Sequence, residues 1–232
     1  MTRLVLALNT NDREQALGML RQFGNRIDCY KIGIDLFAAA GPELVREFVR
    51  AGVDVFLDLK YSDIPSVVGK AVAVAAGLGV KLLTVHTMGG AKMLAEAVRA
   101  AKAAGPKRPL ILGVTVLTSL DRAGLEQVTG RDEEVRNRVL ALARLAQSTG
   151  CDGVVASPEE IGALKKECGP GFVVVTPGIR LGPAAGKDDQ ARTLTPAEAA
   201  RAGADYIVVG RPIYEAADPL QAMAEIRRQL GG

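Results

Sequence analysis

Apolar and polar positions along the chain predict short strands and amphipathic helices in regular succession. Eight runs rich in β-branched and other apolar residues indicate buried strands, at residues 3–8, 29–34, 53–60, 80–86, 110–116, 153–156, 172–176 and 206–210. Alanine-rich amphipathic segments lie between them, with helix starts expected near residues 12, 41, 65, 90, 133, 158, 195 and 219. The chain therefore repeats one unit, a strand followed by a helix, eight times.

This succession predicts an α/β fold of the (β/α)8 class, a TIM barrel. Barrels of this class typically need about 250 residues, and the chain has 232. A doubly wound open sheet is the alternative, but it usually has fewer strands and a glycine-rich turn after the first strand. Here that turn, residues 9–12, reads Asn-Thr-Asn-Asp and contains no glycine. Because no linker or low-complexity tract divides the chain, we predict a single catalytic domain over residues 1–232.

Composition narrows the class of function. Apolar residues make up 48% of the chain and charged residues 24%, which excludes general disorder. The 29 basic and 26 acidic residues leave a net charge of +3, which is too weak and too evenly spread to indicate binding to nucleic acid or to a membrane surface. The single histidine excludes a histidine-cluster metal site.

Cysteine usage and the N-terminal segment indicate a cytoplasmic protein. Cys29, Cys151 and Cys168 form no C-x-x-C pair, so we expect core residues in a reducing compartment rather than a disulfide scaffold. Residues 1–12 lack the basic and cleavage regions of a signal peptide. No stretch approaches the ~20 apolar residues that a membrane span needs, so we expect a soluble, cytoplasmic protein.

Candidate chemistry lies at the ends of the predicted strands, because TIM-barrel enzymes place their catalytic residues at the carboxyl ends. The polar residues at those ends are Asn9, Lys31, Asp58, Lys60, His86, Thr118 and Arg211. Side chains alternate along a strand, so Phe56, Asp58 and Lys60 share the face that points into the barrel mouth. The two lysines and the aspartate could pair and keep one another ionised. An ordinary ion pair that closes the barrel top is the alternative, and His86 is more simply a structural histidine.

Two loops near the chain's end suggest a phosphorylated small-molecule ligand. The loop at residues 177–194 is longer than usual for a barrel and contains Arg180, Lys187, Gln190 and Arg192, so it is either a lid or a solvated surface loop. The last strand ends in Gly210 and Arg211, where a backbone can approach a phosphate and a guanidinium can bind it. Barrel phosphate sites often use the loops after strands seven and eight.

Residues 57–65 carry the strongest motif. Their sequence, Leu-Asp-Leu-Lys-Tyr-Ser-Asp-Ile-Pro, resembles the D-x-K-x-x-D-I-P signature of the orotidine 5′-phosphate decarboxylase family. Similar stretches at residues 30–33, 85–90, 113–119, 176–180, 188–192 and 209–213 extend the resemblance over nearly the whole chain. Sugar-phosphate decarboxylases and hexulose-phosphate synthases share the D-x-K-x-x-D core. The Ile64-Pro65 extension, the Arg180/Gln190 loop and the Gly210-Arg211 turn favour the orotidylate enzyme.

The resemblance implies a carboxy-lyase of pyrimidine biosynthesis. It would convert orotidine 5′-phosphate to UMP and carbon dioxide, the last step of de novo UMP formation, without a metal or an organic cofactor. It would be a homodimer of barrels with sites at the interface. Lys60 would be the proton donor and Asp58 would lie near the departing carboxylate. Lys31 and, from the partner, Asp63 would orient this pair and hold ribose hydroxyls. Its place in the loop alone makes Asp63 as well suited to capping the next helix as to a role in the chemistry.

The resemblance also implies a substrate-binding set. Thr118 and Ser119 would lie near the pyrimidine, Gln190, Gly210 and Arg211 would grip the phosphate, Arg180 would close over it, and Ile64 and Pro177 would complete the set. The chain departs from the family at Asn9, where Asp is usual and contacts a ribose hydroxyl; loss of this charge predicts weaker substrate binding. Ser62 replaces a common His, and Ser66-Val67 replaces a common Asn-Thr.

Two other functions remain open from the residues. A magnesium-dependent sugar-phosphate lyase would need a carboxylate-rich metal site at neighbouring strand ends, and Asn9 and Lys31 argue against one. A non-catalytic barrel would bind UMP without turnover. Sensitivity to a chelator distinguishes the first alternative, and a turnover assay distinguishes the second.

Overall fold

The computed structural model describes residues 1–181 and 193–231. Within these residues, eight parallel strands pair in sequence order and close into a barrel, from β1 next to β2 round to β8 next to β1. The strands are β1 Arg3–Leu8, β2 Cys29–Gly33, β3 Val55–Tyr61, β4 Leu82–His86, β5 Leu110–Val114, β6 Gly153–Val155, β7 Val173–Thr176 and β8 Tyr206–Val209. The predicted TIM barrel is confirmed, with strand bounds that differ from the prediction by one or two residues at several ends.

Helices follow the strands on the outside of the barrel. The described residues form α1 Arg13–Phe23, α2 Ile34–Arg50, α3 Pro65–Gly77, α4 Gly90–Ala103, α5 Arg122–Thr129, α6 Val135–Ser148, α7 Ile161–Cys168, α8 Pro196–Ala202, α9 Arg211–Tyr214 and α10 Pro219–Gln229. Two helices were not predicted, α5 and α9, because each is too short to show a clear apolar period. No helix in this described part of the chain is long and apolar enough to cross a membrane.

The second helix begins earlier than the glycine-proline signal predicts. Helix α2 starts at Ile34, directly after β2, and is interrupted at Gly41, whose backbone is left-handed with φ 67°. Pro42 then begins a second helical stretch, since its fixed φ suits a first helical position. The signal at Gly41 and Pro42 therefore marks a kink inside a longer segment and not the helix start.

Two apolar layers fill the molecule, as the alternation along the strands requires. Val5 and Ala7 pack inside the barrel with residues of the other strands, whereas Leu4, Leu6 and Leu8 pack between the strands and the helices. The inner layer is small, and Phe56 is its largest fully buried side chain. The barrel interior is thus a packed core and not a pore.

Three aspartates close the opposite, amino-terminal face. Asp28, Asp152 and Asp205 each precede an even-numbered strand, and each carboxylate accepts the backbone N–H of the preceding strand. The donors are Leu4, Ile111 and Val174, at 2.7, 2.8 and 2.7 Å. Each carboxylate also pairs with a cation, respectively Arg227, Arg108 and Lys165. The contacts at this face hold the strand ends in register. The opposite, carboxyl-terminal face is where catalytic residues are expected.

Gly153 sets how closely β6 and β7 approach. It pairs with Val173, and a Cβ at position 153 would overlap the Val173 carbonyl oxygen. A backbone oxygen cannot rotate away as a side chain can, so any larger residue would force the two strands apart.

We therefore expect Gly153→Ala to lower the free energy of unfolding by about 1–3 kcal/mol in urea titrations, through overpacking. The matched control is Gly162→Ala in α7, where an added Cβ has no atom within 4 Å. That change should leave stability unchanged or raise it by up to about 1 kcal/mol. Equal effects of the two substitutions would contradict the packing argument.

Candidate functional site

Lys31, Asp58 and Lys60 meet at the carboxyl ends of β2 and β3. Both lysine ammonium groups approach the same carboxylate oxygen, Asp58 Oδ2: Lys60 Nζ at 3.0 Å and Lys31 Nζ at 3.4 Å. Asp58 is buried, with 8% of its surface exposed. A buried carboxylate between two cations is stabilised in its ionised form. The pairing predicted from the strand alternation is therefore present.

The backbone that carries Lys60 is irregular. Leu57 pairs with Leu83 and Tyr61 with Val85, so the intervening segment of β3 bulges against β4. Lys60 has φ 50°, a left-handed conformation that a residue with a side chain adopts only at a cost, on the order of 1 kcal/mol. Such outliers persist where surrounding contacts fix them, and they cluster at functional sites.

The side chain of Thr84 makes the contacts that fix the Lys60 backbone, and Thr84 was not among the predicted site residues. The Lys60 backbone N–H donates to Thr84 Oγ1 at 2.9 Å, and this hydroxyl donates to Asp58 Oδ1 at 3.0 Å. The signal was visible, because Thr84 is the one polar residue in the otherwise apolar run Leu82–Val85 of β4. A buried hydroxyl in such a run needs a partner on a neighbouring strand.

The charges around Asp58 determine its protonation state. Burial raises the pKa of the Asp58 carboxyl, but the charges of Lys31 and Lys60 and hydrogen bonds from Lys60 and Thr84 outweigh burial and hold the pKa below its ordinary value. Burial and the nearby Lys60 charge lower the pKa of His86. His86 is therefore neutral at pH 7, and its Nδ1 accepts the Met88 N–H at 3.4 Å.

A cavity of about 300 Å³ opens above this charged group. Nine of the predicted site residues line it: Asn9, Lys31, Asp58, Lys60, Thr118, Pro177, Arg180, Gly210 and Arg211. Its apolar lining includes Phe56, Val114 and Val155, and its volume lies at the lower end of the range for small-molecule sites. One wall thus carries lysines and an aspartate, and the loops after β7 and β8 contribute two arginines.

Of the other four predicted site residues, Gln190 lies outside the described residues, and Ser119, Ile64 and Asp63 do not line the cavity. Ser119 is exposed, and Ile64 is 63% exposed. Asp63 is exposed, and its Oδ1 accepts the N–H of the next residue at 2.6 Å. It does not cap α3, which has no side-chain cap, so the capping interpretation is wrong.

Asn9 lies beside the glycine that ends β8. Its amide nitrogen is 3.1 Å from the position a Cβ on Gly210 would occupy. A side chain at position 210 would therefore crowd Asn9. Burial raises the pKa of Tyr214 in α9, so its phenol is neutral.

The two ends of the long loop after β7 are joined at its base. Ile179 bridges to Leu194, the Arg180 N–H donates to the Leu194 carbonyl at 3.0 Å, and the Leu194 N–H donates to Gly178 at 3.3 Å. Lys187, Gln190 and Arg192 lie outside the described residues, so the lid interpretation of this loop is untested. Arg180 is placed at the cavity by the closed base.

In the described ranges 1–181 and 193–231, no group of three or more His, Cys, Asp or Glu side chains is arranged to hold a metal ion. Cys29, Cys151 and Cys168 are buried and unpaired with one another, as expected for core residues.

The low pKa of Asp58 predicts how stability depends on pH. Its contribution is present above the unfolded pKa, about 4, and is lost as the pH falls through the lower folded pKa. We expect the wild-type free energy of unfolding, relative to that of Asp58→Asn, to decrease between about pH 5 and pH 2.5. Urea titrations at several pH values measure this; a constant difference would contradict the ionised, lysine-paired carboxylate.

A family profile, named proteins and a solved crystal structure are all similar to this chain. The profile described as "Orotidine 5'-phosphate decarboxylase / HUMPS family" matches residues 2–226. Proteins named orotidine 5′-phosphate decarboxylase from Heliobacterium modesticaldum and Legionella pneumophila are 44% and 42% identical, covering 98% of this chain and 95% and 99% of theirs. A crystal structure of the Lactobacillus acidophilus enzyme of that name is 34% identical, with a TM-score of 0.89 over 100% of both chains.

Proposed function

The chain belongs to the orotidine 5′-phosphate decarboxylase / HUMPS family, and on this premise we propose that it converts orotidine 5′-phosphate to UMP and carbon dioxide. This is the last step of de novo UMP formation. The observation that carries the proposal is the charged lining of the cavity, where Lys60 and Lys31 share Asp58 Oδ2 and the loops after β7 and β8 contribute two arginines.

Lys60 is the proposed proton donor. Loss of carbon dioxide breaks the bond between the pyrimidine ring and its carboxylate and leaves the electron pair on the ring carbon, in the ring plane, where the ring cannot delocalise it. A fixed ammonium group stabilises that developing charge and then transfers its proton to the carbon. Lys60 Nζ lies 3.0 Å from Asp58 Oδ2, and this ion pair fixes its position.

Asp58 and Lys31 organise the reacting end of the substrate. The ionised Asp58 would lie next to the departing carboxylate, and repulsion between the two negative charges favours its loss. Lys31 balances the Asp58 charge from the neighbouring strand and is suited to hold a ribose hydroxyl. The buried pairing keeps these groups fixed before the substrate arrives.

The far end of the cavity is suited to a phosphate. Arg211 and the Gly210 backbone lie at the end of β8, and Arg180 comes from the loop after β7. Guanidinium groups and backbone N–H groups match phosphate oxygens. Thr118 lines the cavity, and we assign it to the pyrimidine and Ser119, Ile64, Pro177 and Gln190 to the same binding set. Binding energy at the phosphate can then assist the distant chemical step.

We further propose that the enzyme is a homodimer in which Asp63 enters the partner's site. Asp63 is exposed and does not line its own cavity. Large apolar side chains in the segments that follow β3 and β4 are also exposed: Ile64, Val67 and Met88 by 63%, 44% and 48%. Exposed apolar side chains that group into a patch mark protein interfaces. We assign residues 1–232 to one cytoplasmic catalytic domain.

The direct test is UMP formation from orotidine 5′-phosphate with excess chelator present. We expect the wild type to turn over. Lys60→Ala should lower kcat by ~10²–10⁴-fold or more, because a general acid contributes a factor in this range. UMP affinity should change little. Lys92→Ala, at an exposed lysine of α4, is the matched control and should behave as wild type.

Each alternative has a distinct result in this assay. Activity that survives Lys60→Ala would rule out Lys60 as the proton donor. UMP binding without turnover indicates a binding barrel, and activity on a sugar phosphate that the chelator abolishes indicates the magnesium-dependent lyase.

Subunit mixing tests the shared site. A heterodimer of Lys60→Ala and Asp63→Ala chains contains one intact site, so random mixing should restore roughly a quarter of wild-type activity. Mixing Lys60→Ala with Asp58→Ala is the control: both residues come from one chain, so no intact site forms. Equal activity of the two mixtures, with subunit exchange verified, counts against an Asp63 contribution from the partner.

A further inference from the structure

The bulge in β3 removes part of the hydrogen-bonding ladder at the catalytic strand. Leu57 and Tyr61 pair with Leu83 and Val85, so three β3 residues, 58–60, lie opposite the single residue Thr84. The Lys60 N–H therefore has no backbone acceptor in the regular register, and it donates to the Thr84 hydroxyl instead, at 2.9 Å. A buried N–H without an acceptor would cost about 1–3 kcal/mol.

The Thr84 hydroxyl has one possible proton direction. Its oxygen accepts from the Lys60 amide, and the ionised Asp58 carboxylate can only accept a hydrogen bond. The single hydroxyl proton must then point to Asp58 Oδ1, 3.0 Å away. Thr84 is fully buried, with 0% exposure, so water cannot substitute for either bond.

This bond determines which oxygen of Asp58 faces the lysines. Oδ1 is occupied by Thr84, and Oδ2 receives both Lys60 Nζ and Lys31 Nζ. Rotation of the carboxylate would break the Thr84 bond and move the shared oxygen away from the ammonium groups. One side chain on β4 therefore fixes both the Asp58 carboxylate and the left-handed backbone of Lys60.

We propose that Thr84 is a positioning residue for the decarboxylation: it fixes the Asp58 carboxylate and the Lys60 backbone so that the Lys60 ammonium group is held where proton transfer occurs. The inference rests on the proposed function. It adds a buried residue that contributes no atom to the cavity lining and acts only through Asp58 and Lys60.

A pH profile distinguishes this role from simple core packing. The hydrogen bond from Thr84 is one of the contacts that lower the Asp58 pKa, so its loss should raise that pKa. The charged and titratable groups that act on Asp58 or share its cavity are Lys31 on β2, Lys60 on β3, His86 on β4, which is near Lys60, and Arg180 and Arg211 in the loops after β7 and β8. Thr84→Val leaves all of them in place.

The experiment compares Thr84→Val, which removes the hydroxyl at nearly constant shape, with Thr84→Ser, which keeps it. For Thr84→Val we expect kcat to fall roughly 10- to 100-fold, the effect of losing a hydrogen bond to a charged group. UMP affinity should change less than about threefold, since the phosphate anchors binding. The acidic limb of the kcat profile should move to higher pH. Thr84→Ser should restore both kcat and the limb.

The matched control is Thr87→Val. Thr87 is also fully buried, but its hydroxyl donates to the Val114 carbonyl, at 2.7 Å. This change should lower stability and leave the pH profile as in the wild type. If Thr84→Val fails to fold, Thr84→Cys replaces it, because cysteine has a similar volume and only a weak S–H donor. We expect kcat and the acidic limb of its pH profile to change in the same direction as for Thr84→Val.

Failure of the inference is separable from failure of the proposed function. An active wild type with unchanged kcat and pH profile in Thr84→Val would overturn the positioning role. So would a serine variant as impaired as the valine variant. An inactive wild type would refute the proposed function alone. The positioning role of Thr84 can then still be tested by a ¹³C titration of the Asp58 carboxyl, whose signal is assigned by comparison with Asp58→Asn. A higher Asp58 pKa in Thr84→Val than in the wild type supports the role, and an unchanged pKa refutes it.

Discussion

The pairing of one buried carboxylate with two lysines is the interaction on which the site depends. Burial by itself would drive Asp58 toward its neutral form, and two ammonium groups near one another would repel. The three charges are stable only together, with Lys60 and Lys31 on the same Asp58 oxygen. A cation thus lies ready at the cavity wall before any substrate arrives, which is what stabilisation of a localised carbanion requires.

The charged groups at the two ends of the barrel have different roles: those at one end stabilise the fold, and those at the other end line the candidate site. At the amino-terminal face, Asp28, Asp152 and Asp205 satisfy strand N–H groups and pair with cations, so charge there closes the fold. At the carboxyl-terminal face, charge lines a cavity and the backbone is strained at Lys60. The strain is tolerated because the surrounding barrel is closed and densely packed, and because Thr84 accepts the Lys60 N–H, which has no backbone acceptor in the bulge.

Much of the fold was predictable because its signals are local. Strand alternation placed Val5 and Ala7 inside and Leu4 outside, and a glycine-proline pair marked a break in α2, although not its start. The helices α5 and α9 escaped prediction, since 8 and 4 residues show too little periodicity. The alternation also brought Asp58 and Lys60 to one side, although it gave no hint of the bulge between them.

Local sequence patterns specify the order of the elements, the two faces of each strand and the D-x-K-x-x-D-I-P motif, because these depend on neighbours a few residues apart. The atoms through which the polar groups meet depend instead on how the strands pair. The pairing of β2 with β3 brings Lys31 to Asp58, and one register shift between β3 and β4 brings Thr84 to both Asp58 and the Lys60 amide. These contacts join residues about 25 positions apart, and a single-residue change in strand register would break them.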